Sequence, residues 1–128
     1  MFKINCELRQ STIPGIGLGV FTLEDIKKGD LVWAFDENMD MRIHVSDLNA
    51  LEPSQLTFIN KYAWREGDFI YLPCDLNKFV NHSNNPNIGC FDRRLTDIAF
   101  RDIKAGEELF ADYSSFDDDY RSYASELR

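Results

Sequence analysis

The hexapeptide Asp25-Ile26-Lys27-Lys28-Gly29-Asp30 recurs late in the chain as Asp102-Ile103-Lys104-Ala105-Gly106-Glu107, and each copy is a turn entering an apolar run. Two widely separated copies of a turn-plus-strand unit predict a duplicated hairpin-like β element; a solenoid needs at least about three adjacent repeats. With 128 residues, 44% hydrophobic and 13% aromatic, there is material for one core, so 1–128 reads as a single domain.

Phe2, Ile4, Cys6 and Leu8 alternate with polar residues, the period of a half-buried strand, which the Gly/Pro-rich stretch 14–19 ends. Short strands are predicted at 19–22, 31–35 and 41–45. Between 54 and 63 the period changes: Leu56, Ile59 and Ala63 fall at helical spacing behind Ser54, a candidate cap. Residues 69–72 read as a strand, 75–80 as one helical turn capped by Asp75, and 95–100 and 108–113 as later strands. Tyr120, Tyr123 and Leu127 share one helical face behind the acidic 117–119, whose charges suit a helix N-terminus. The predicted architecture is mainly β with short helices.

Charges break the apolar stretches every few residues, and residues 1–10 have neither the basic start nor the apolar stretch of a signal peptide. This predicts a soluble intracellular protein, cytoplasmic or nuclear according to its source, without a membrane partner. Cys6, Cys74 and Cys90 are odd in number and lack CxxC or CxH spacing, so they read as free thiols with no metal site. A net charge of −8 disfavours direct nucleic-acid binding and favours a basic protein partner, although acidity also serves solubility alone.

Three motifs carry chemistry. Gly15-Ile16-Gly17-Leu18-Gly19-Val20-Phe21 alternates glycines where a backbone approaches a ligand or turns tightly. No strand-then-helix context follows, so a Rossmann site is disfavoured, and alone the stretch reads as a turn. Asn81-His82-Ser83-Asn84-Asn85-Pro86-Asn87 alone reads as a polar loop. The apolar Phe79-Val80 before it would carry Asn81 and His82 inward, where their polar atoms need partners. Gly106-Glu107-Glu108-Leu109-Phe110-Ala111-Asp112-Tyr113 reads as a turn feeding a strand that ends in a tyrosine.

In order and spacing, these motifs resemble those of the SET-domain protein-lysine methyltransferases, from residue 11 to beyond 113. The resemblance lies in Gly17-Leu18-Gly19-Val20-Phe21, in Phe79-Val80-Asn81-His82-Ser83 with Pro86-Asn87, and in Gly106-Glu107-Glu108-Leu109 with Asp112-Tyr113. It implies the SET or β-clip fold: small β-sheets around a C-terminal pseudoknot, core 11–113, with the tail 114–128 completing the site. The implied activity is methyl transfer from S-adenosylmethionine to a lysine amine of a protein. By the same resemblance, Ile16, Gly17, Leu18, Asn81 and His82 would bind the cofactor and Tyr113 would be catalytic. Either Phe116 or Tyr120 would stack on the adenine.

Two departures stand out. No cysteine follows Cys90 in these 128 residues, so the lysine channel is expected to close without the cysteine-rich zinc segment that many relatives use. The tail, a partner chain or the substrate would complete that wall, and the acidic 117–119 would then meet a basic substrate or simply cap a helix. The position two before the tyrosine is Ala111 where relatives often have an aromatic, which leaves room in the channel unless Phe35, Tyr62 or Phe91 fills it. Lys78 stands where arginine is frequent, a minor change. The implied partner is a basic protein, whether histone-like, chromosomal or ribosomal, and a homodimer is compatible with the reading. The alternative is a non-catalytic β-clip module that binds a ligand or protein, against which the intact Asn81-His82 and Tyr113 argue. A nucleic-acid-binding module is disfavoured by the acidic balance and the lack of a basic stripe.

Overall fold

A computed structural model describes residues 1–90 and 95–120. In chain order the elements are β1 (Cys6–Gln10), β2 (Leu18–Thr22), β3 (Leu31–Ala34), β4 (Met41–His44), a 3-10 helix (Val45–Ala50), α1 (Pro53–Tyr62), β5 (Trp64–Glu66) and β6 (Phe69–Leu72). A 3-10 turn (Leu76–Phe79), β7 (Asn81–His82), β8 (Ile88–Gly89), β9 (Thr96–Ala99), β10 (Phe110–Ala111) and a last 3-10 turn (Tyr113–Ser115) follow. They form small sheets: β1-β2, β3-β9-β8 and β4-β6-β5, all antiparallel, and a parallel β10-β7 pair. Among the described residues no helix is long and apolar enough to cross a membrane.

The two copies of the repeated hexapeptide meet face to face. Ile26 N–H donates to Ile103 O (2.7 Å) and Ile103 N–H to Ile26 O (2.8 Å), an antiparallel bridge between the copies. Each copy's first aspartate accepts from the other copy's turn: Asp25 Oδ1 from Ala105 N–H and Asp102 Oδ1 from Lys28 N–H, both at 2.9 Å. Gly29 and Gly106 hold matching left-handed φ of 91° and 92°. The duplication therefore builds one pseudo-symmetric clasp, and Ile26 and Ile103 sink into the core beside Val20, Val32, Ile88 and Leu109.

Leaving the clasp, residues 107–111 run through the middle of the molecule. On one flank Thr22 N–H donates to Glu107 O and Leu109 N–H to Val20 O, along β2. On the other, Asn87, 1% exposed, acts as a side-chain rung. Its Nδ2 donates to Glu108 O and its Oδ1 accepts from Phe110 N–H, each at 2.8 Å. Ser83 N–H donates to Ala111 O. This is the threading that the family resemblance implies.

Local structure differs from the sequence-based expectations where partners override period. The first strand starts at Cys6 because Phe2 bridges to Trp33 instead of continuing it. The helix starts at Pro53, and its cap is Glu52 in a capping box with Gln55, not Ser54. The expected strand 108–113 shrinks to Phe110–Ala111, since Asp112 accepts from Ser114 N–H and turns the chain into a 3-10 helix. The expected terminal helix with Tyr123 and Leu127 lies outside the described residues.

Candidate active site

The turn between β1 and β2 needs Gly15 (φ 77°) and Gly17 (φ 96°) for its left-handed backbone, and Ser11 N–H closes it onto Gly17 O at 2.8 Å. Ile16, Gly17 and Leu18 are all exposed, which leaves this backbone accessible to a ligand. Gly19 is required by a close approach: a Cβ there would lie 2.8 Å from Glu108 Cδ and 3.2 Å from Asn81 Nδ2. Asn81 Nδ2 donates to Leu18 O at 2.9 Å and to Glu108 Oε2 at 3.2 Å, which brings the first and second motifs together. The third motif supplies the junction. Glu108 is buried and accepts from the Ser11 hydroxyl and from the Thr12 N–H and hydroxyl, each at 2.8 Å. Burial pushes its carboxyl up, but these donors and the Asn81 amide outweigh it and hold it below the ordinary value.

His82 is the second junction. Its Nδ1 accepts from Tyr113 N–H at 3.0 Å, so the neutral ring carries its proton on Nε2, which lies 3.0 Å from both Asn84 Oδ1 and the Tyr120 hydroxyl. The His82 ring centroid is 5.3 Å from that of Tyr113 and 4.9 Å from that of Tyr120. The Tyr113 hydroxyl donates to Val80 O. Burial pushes the Tyr113 phenol up to about 12, helped by Asp117 and Tyr120, so it stays neutral across the physiological range.

Tyr113 also borders a cleft walled by Trp33, Tyr62, Trp64, Val80, Ala111 and Phe116. Ile16, Gly17, Leu18, Asn81, His82 and Tyr120 are not among its walls, so Tyr113 stands where two neighbourhoods meet. The two aromatics left open as adenine partners separate here. Phe116 packs edge-on against Trp64 and Tyr113 in the cleft, while Tyr120 sits against His82. Of the channel candidates, Tyr62 and Ala111 line the cleft. Phe35 does not: it packs edge-on against Tyr71, which in turn stacks on Trp64, so it lies one ring behind the wall. Phe91 lies outside the described residues.

Sequence reasoning overlooked Trp33 and Trp64, whose indole N–H groups are buried without a partner among the described residues. It also overlooked Lys61, Glu66 and Asp97 as charged walls and gave Lys78 no place there, whereas Asp117, which also lines the cleft, belongs to the acidic run it set beside a basic substrate. Burial pushes the Asp97 carboxyl up to about 7 despite a hydrogen bond from Asn77, and the Glu66 charge adds to the rise. Only the aromatic richness around Tyr62 to Trp64 hinted at this wall. Burial likewise pushes the Cys6 thiol up to about 11, which marks it as a packing group rather than a nucleophile.

The acidic run 117–119 directly precedes a residue in helical conformation, Tyr120, and does not simply face solvent. Asp119 takes a forked contact from Arg65, with Nε at 3.0 Å and a terminal guanidinium nitrogen at 2.9 Å. Asp118 accepts from Gly67 N–H at 2.8 Å, and Asp117 accepts from Asp119 N–H at 3.0 Å. The run clamps the segment bearing Phe116 and Tyr120 onto the β5-β6 hairpin. Among the described residues no group of three or more His, Cys, Asp or Glu is placed to hold a metal ion.

Comparison with known proteins agrees with the fold. The curated relative histone-lysine N-methyltransferase EZH2 of Chaetomium thermophilum is 27% identical over 121 residues, covering 83% of this chain; the chain spans 8% of that protein's length. Chaetomium thermophilum Polycomb Repressive Complex 2 bound to GSK126 superposes with a TM-score of 0.68 at 23% identity, covering 96% of this chain and 17% of that one. The autoinhibited ctPRC2 bound to S-adenosylmethionine gives 0.66 at 22% identity, covering 97% and 17%. A Plasmodium falciparum protein provisionally named a histone methyltransferase gives 0.59 at 23% identity and covers 87% of this chain and 94% of its own. At these identities the structures speak for the fold. The SET-domain family model matches residues 17–114, a span that takes in Gly17 to Phe21, the Asn81-His82 strand and Tyr113, and the chain belongs to the SET-domain family.

Proposed function

We propose that this chain is a protein-lysine methyltransferase that moves a methyl group from S-adenosylmethionine to the side-chain amine of a lysine in a basic protein. The observation that carries the reading is Tyr113, which contacts His82 and Tyr120 as well as Phe116 and so borders both the cofactor candidates and the aromatic cleft.

The exposed backbone of Ile16, Gly17 and Leu18, together with the Asn81 amide, fits the amino-acid end of the donor, and Tyr120 beside His82 offers an aromatic face for the adenine. The donor supplies an electrophilic methyl on a sulfonium, displaced in line as the amine nitrogen forms its bond to carbon and the carbon–sulfur bond breaks. Lysine arrives charged, with an ordinary pKa of about 10.4, and must first release its proton to water. The apolar walls Trp64, Val80, Ala111 and Phe116 favour the neutral amine, while Glu66, Asp97 and Asp117 attract the ammonium to the cleft, offset in part by Lys61 and Lys78. Because the Tyr113 hydroxyl spends its proton on Val80 O, it faces the amine as a neutral acceptor and orients it rather than acting as a strong base. Alignment of this kind is worth up to about 7–11 kcal/mol.

The net charge of −8 and the histone-methyltransferase names of relatives support histones as substrates, with other chromosomal or ribosomal proteins as further candidates. The test is transfer of labelled methyl from S-adenosylmethionine to a panel of basic proteins, mapped by mass spectrometry. Label on lysine that disappears in Asn81→Ala supports the reading. No label on any protein, with no cofactor binding, favours the β-clip binding module.

A further inference from the structure

Asn81 meets the glycine turn through one end of its amide. Nδ2 carries two hydrogens, and both are used, one toward Leu18 O and one toward Glu108 Oε2. Both partners are acceptors, so the reversed amide would set oxygen against oxygen. The orientation is fixed, and Oδ1 is left as a pure acceptor.

Glu108 is built to impose that orientation. It is 5% exposed, and the Ser11 hydroxyl and the Thr12 N–H and hydroxyl hold its carboxylate. A buried carboxylate is costly unless hydrogen-bonded in this way, and these donors are neutral, so they stabilise the charge without cancelling it. Gly19 completes the arrangement, because any Cβ at that position would strike the Glu108 carboxylate and crowd Asn81 Nδ2. None of these contacts belongs to the cleft that borders Tyr113.

We propose that Glu108 is a positioning residue for the methyl donor: it locks the Asn81 amide so that Oδ1 accepts from the donor's α-ammonium, and it places a buried negative charge behind that contact. This rests on the cofactor reading given above. It assigns to the second glutamate of Gly106-Glu107-Glu108-Leu109 a part in recognising the amino-acid end of the ligand and none in recognising its adenosyl half.

The experiment compares binding of two probes by calorimetry. S-adenosylhomocysteine carries the α-ammonium; 5′-methylthioadenosine keeps the adenosyl group without the amino acid. Glu108→Gln, which removes the buried charge and loosens one of the two contacts that fix the Asn81 amide, is expected to weaken S-adenosylhomocysteine by about tenfold or more, the size expected for a lost hydrogen bond to a charged group. Binding of 5′-methylthioadenosine should stay within about twofold of wild type. Glu108→Asp, which keeps the charge but draws it back from Asn81, should show the same selective loss and serves if Glu108→Gln does not fold. Ile103→Val, a core substitution away from the site, is the control for lost stability and should leave both affinities in place. Equal weakening of both probes would reduce Glu108 to a structural role, and unchanged S-adenosylhomocysteine affinity would overturn the proposal. If the wild-type protein binds neither probe, the cofactor reading itself fails, an outcome distinct from both.

Discussion

The Tyr113 backbone N–H donates to Nδ1 of His82 at 3.0 Å, so the residue at the cleft border and the histidine of the polar motif are locked to each other across 31 positions of sequence. His82→Ala removes that acceptor and the contact with the Tyr120 hydroxyl together. Leaving a partly buried donor unpaired costs about 1–3 kcal/mol. A fall of that size in the unfolding free energy from urea denaturation, together with reduced methyl transfer, is the expected outcome; unchanged transfer would remove His82 from the site.

The clasp between the two hexapeptide copies makes a separate prediction about stability. Asp25→Ala and Asp102→Ala each delete one charge-assisted bond to the opposite turn and should each cost about 1 kcal/mol in chemical denaturation. Because both act on the single Ile26–Ile103 bridge, the double variant should depart from additivity by more than about 0.5 kcal/mol. Strict additivity would mean that the turns are held independently.

Asp97 sets the pH dependence. Its folded-state value of about 7 lies above that of an unfolded aspartate, so the native state binds the extra proton between the two. The stabilisation from this group is complete below the unfolded value and is lost as pH rises through about 7. Glu108, shifted down, loses its contribution only in the acid range and does not mask the effect. Wild type should have a higher urea midpoint at pH 5.5 than at pH 8, and Asp97→Asn should reduce the difference, leaving what Asp117, also pushed up by burial, contributes in the same direction. A wild-type midpoint that rises from pH 5.5 to pH 8 would contradict this.

Arg65→Lys keeps a positive charge and loses the fork to Asp119 and the bond to Gly67 O. The clamp on Phe116 and Tyr120 should loosen, seen as faster protease cleavage after residue 112 and weaker S-adenosylmethionine binding. Cleavage and binding at wild-type levels would show that the clamp does not hold these rings in place.

Signals confined to a few neighbouring residues were legible in the sequence. Asp75 capping a single turn and the strand Phe69–Leu72 stand as read. Strands of two residues, such as Asn81–His82 and Phe110–Ala111, are too short for any period to register; their pairing is parallel and joins distant segments. The repeat was visible, but its meaning was not, because nothing within either hexapeptide says that its partner is the other copy. Glu108 reads as one more acidic residue until Ser11 and Thr12 are brought beside it, and Phe35 reads as a channel wall until Tyr71 is placed between it and Trp64. Motif order carried the family, whereas side-chain partners across the chain had no local trace.

The most direct test of the account is Tyr113→Phe, measured for S-adenosylmethionine affinity and for methyl transfer to a basic protein in the same preparation. The substitution keeps the ring against His82 and Phe116 and removes only the hydroxyl bonded to Val80 O. The expected result is cofactor affinity within about threefold of wild type and transfer slowed by about 100-fold or more, as for loss of an orienting group at the reacting centre. Transfer at the wild-type rate would contradict the placement of Tyr113 at the reacting centre and, with it, the central claim.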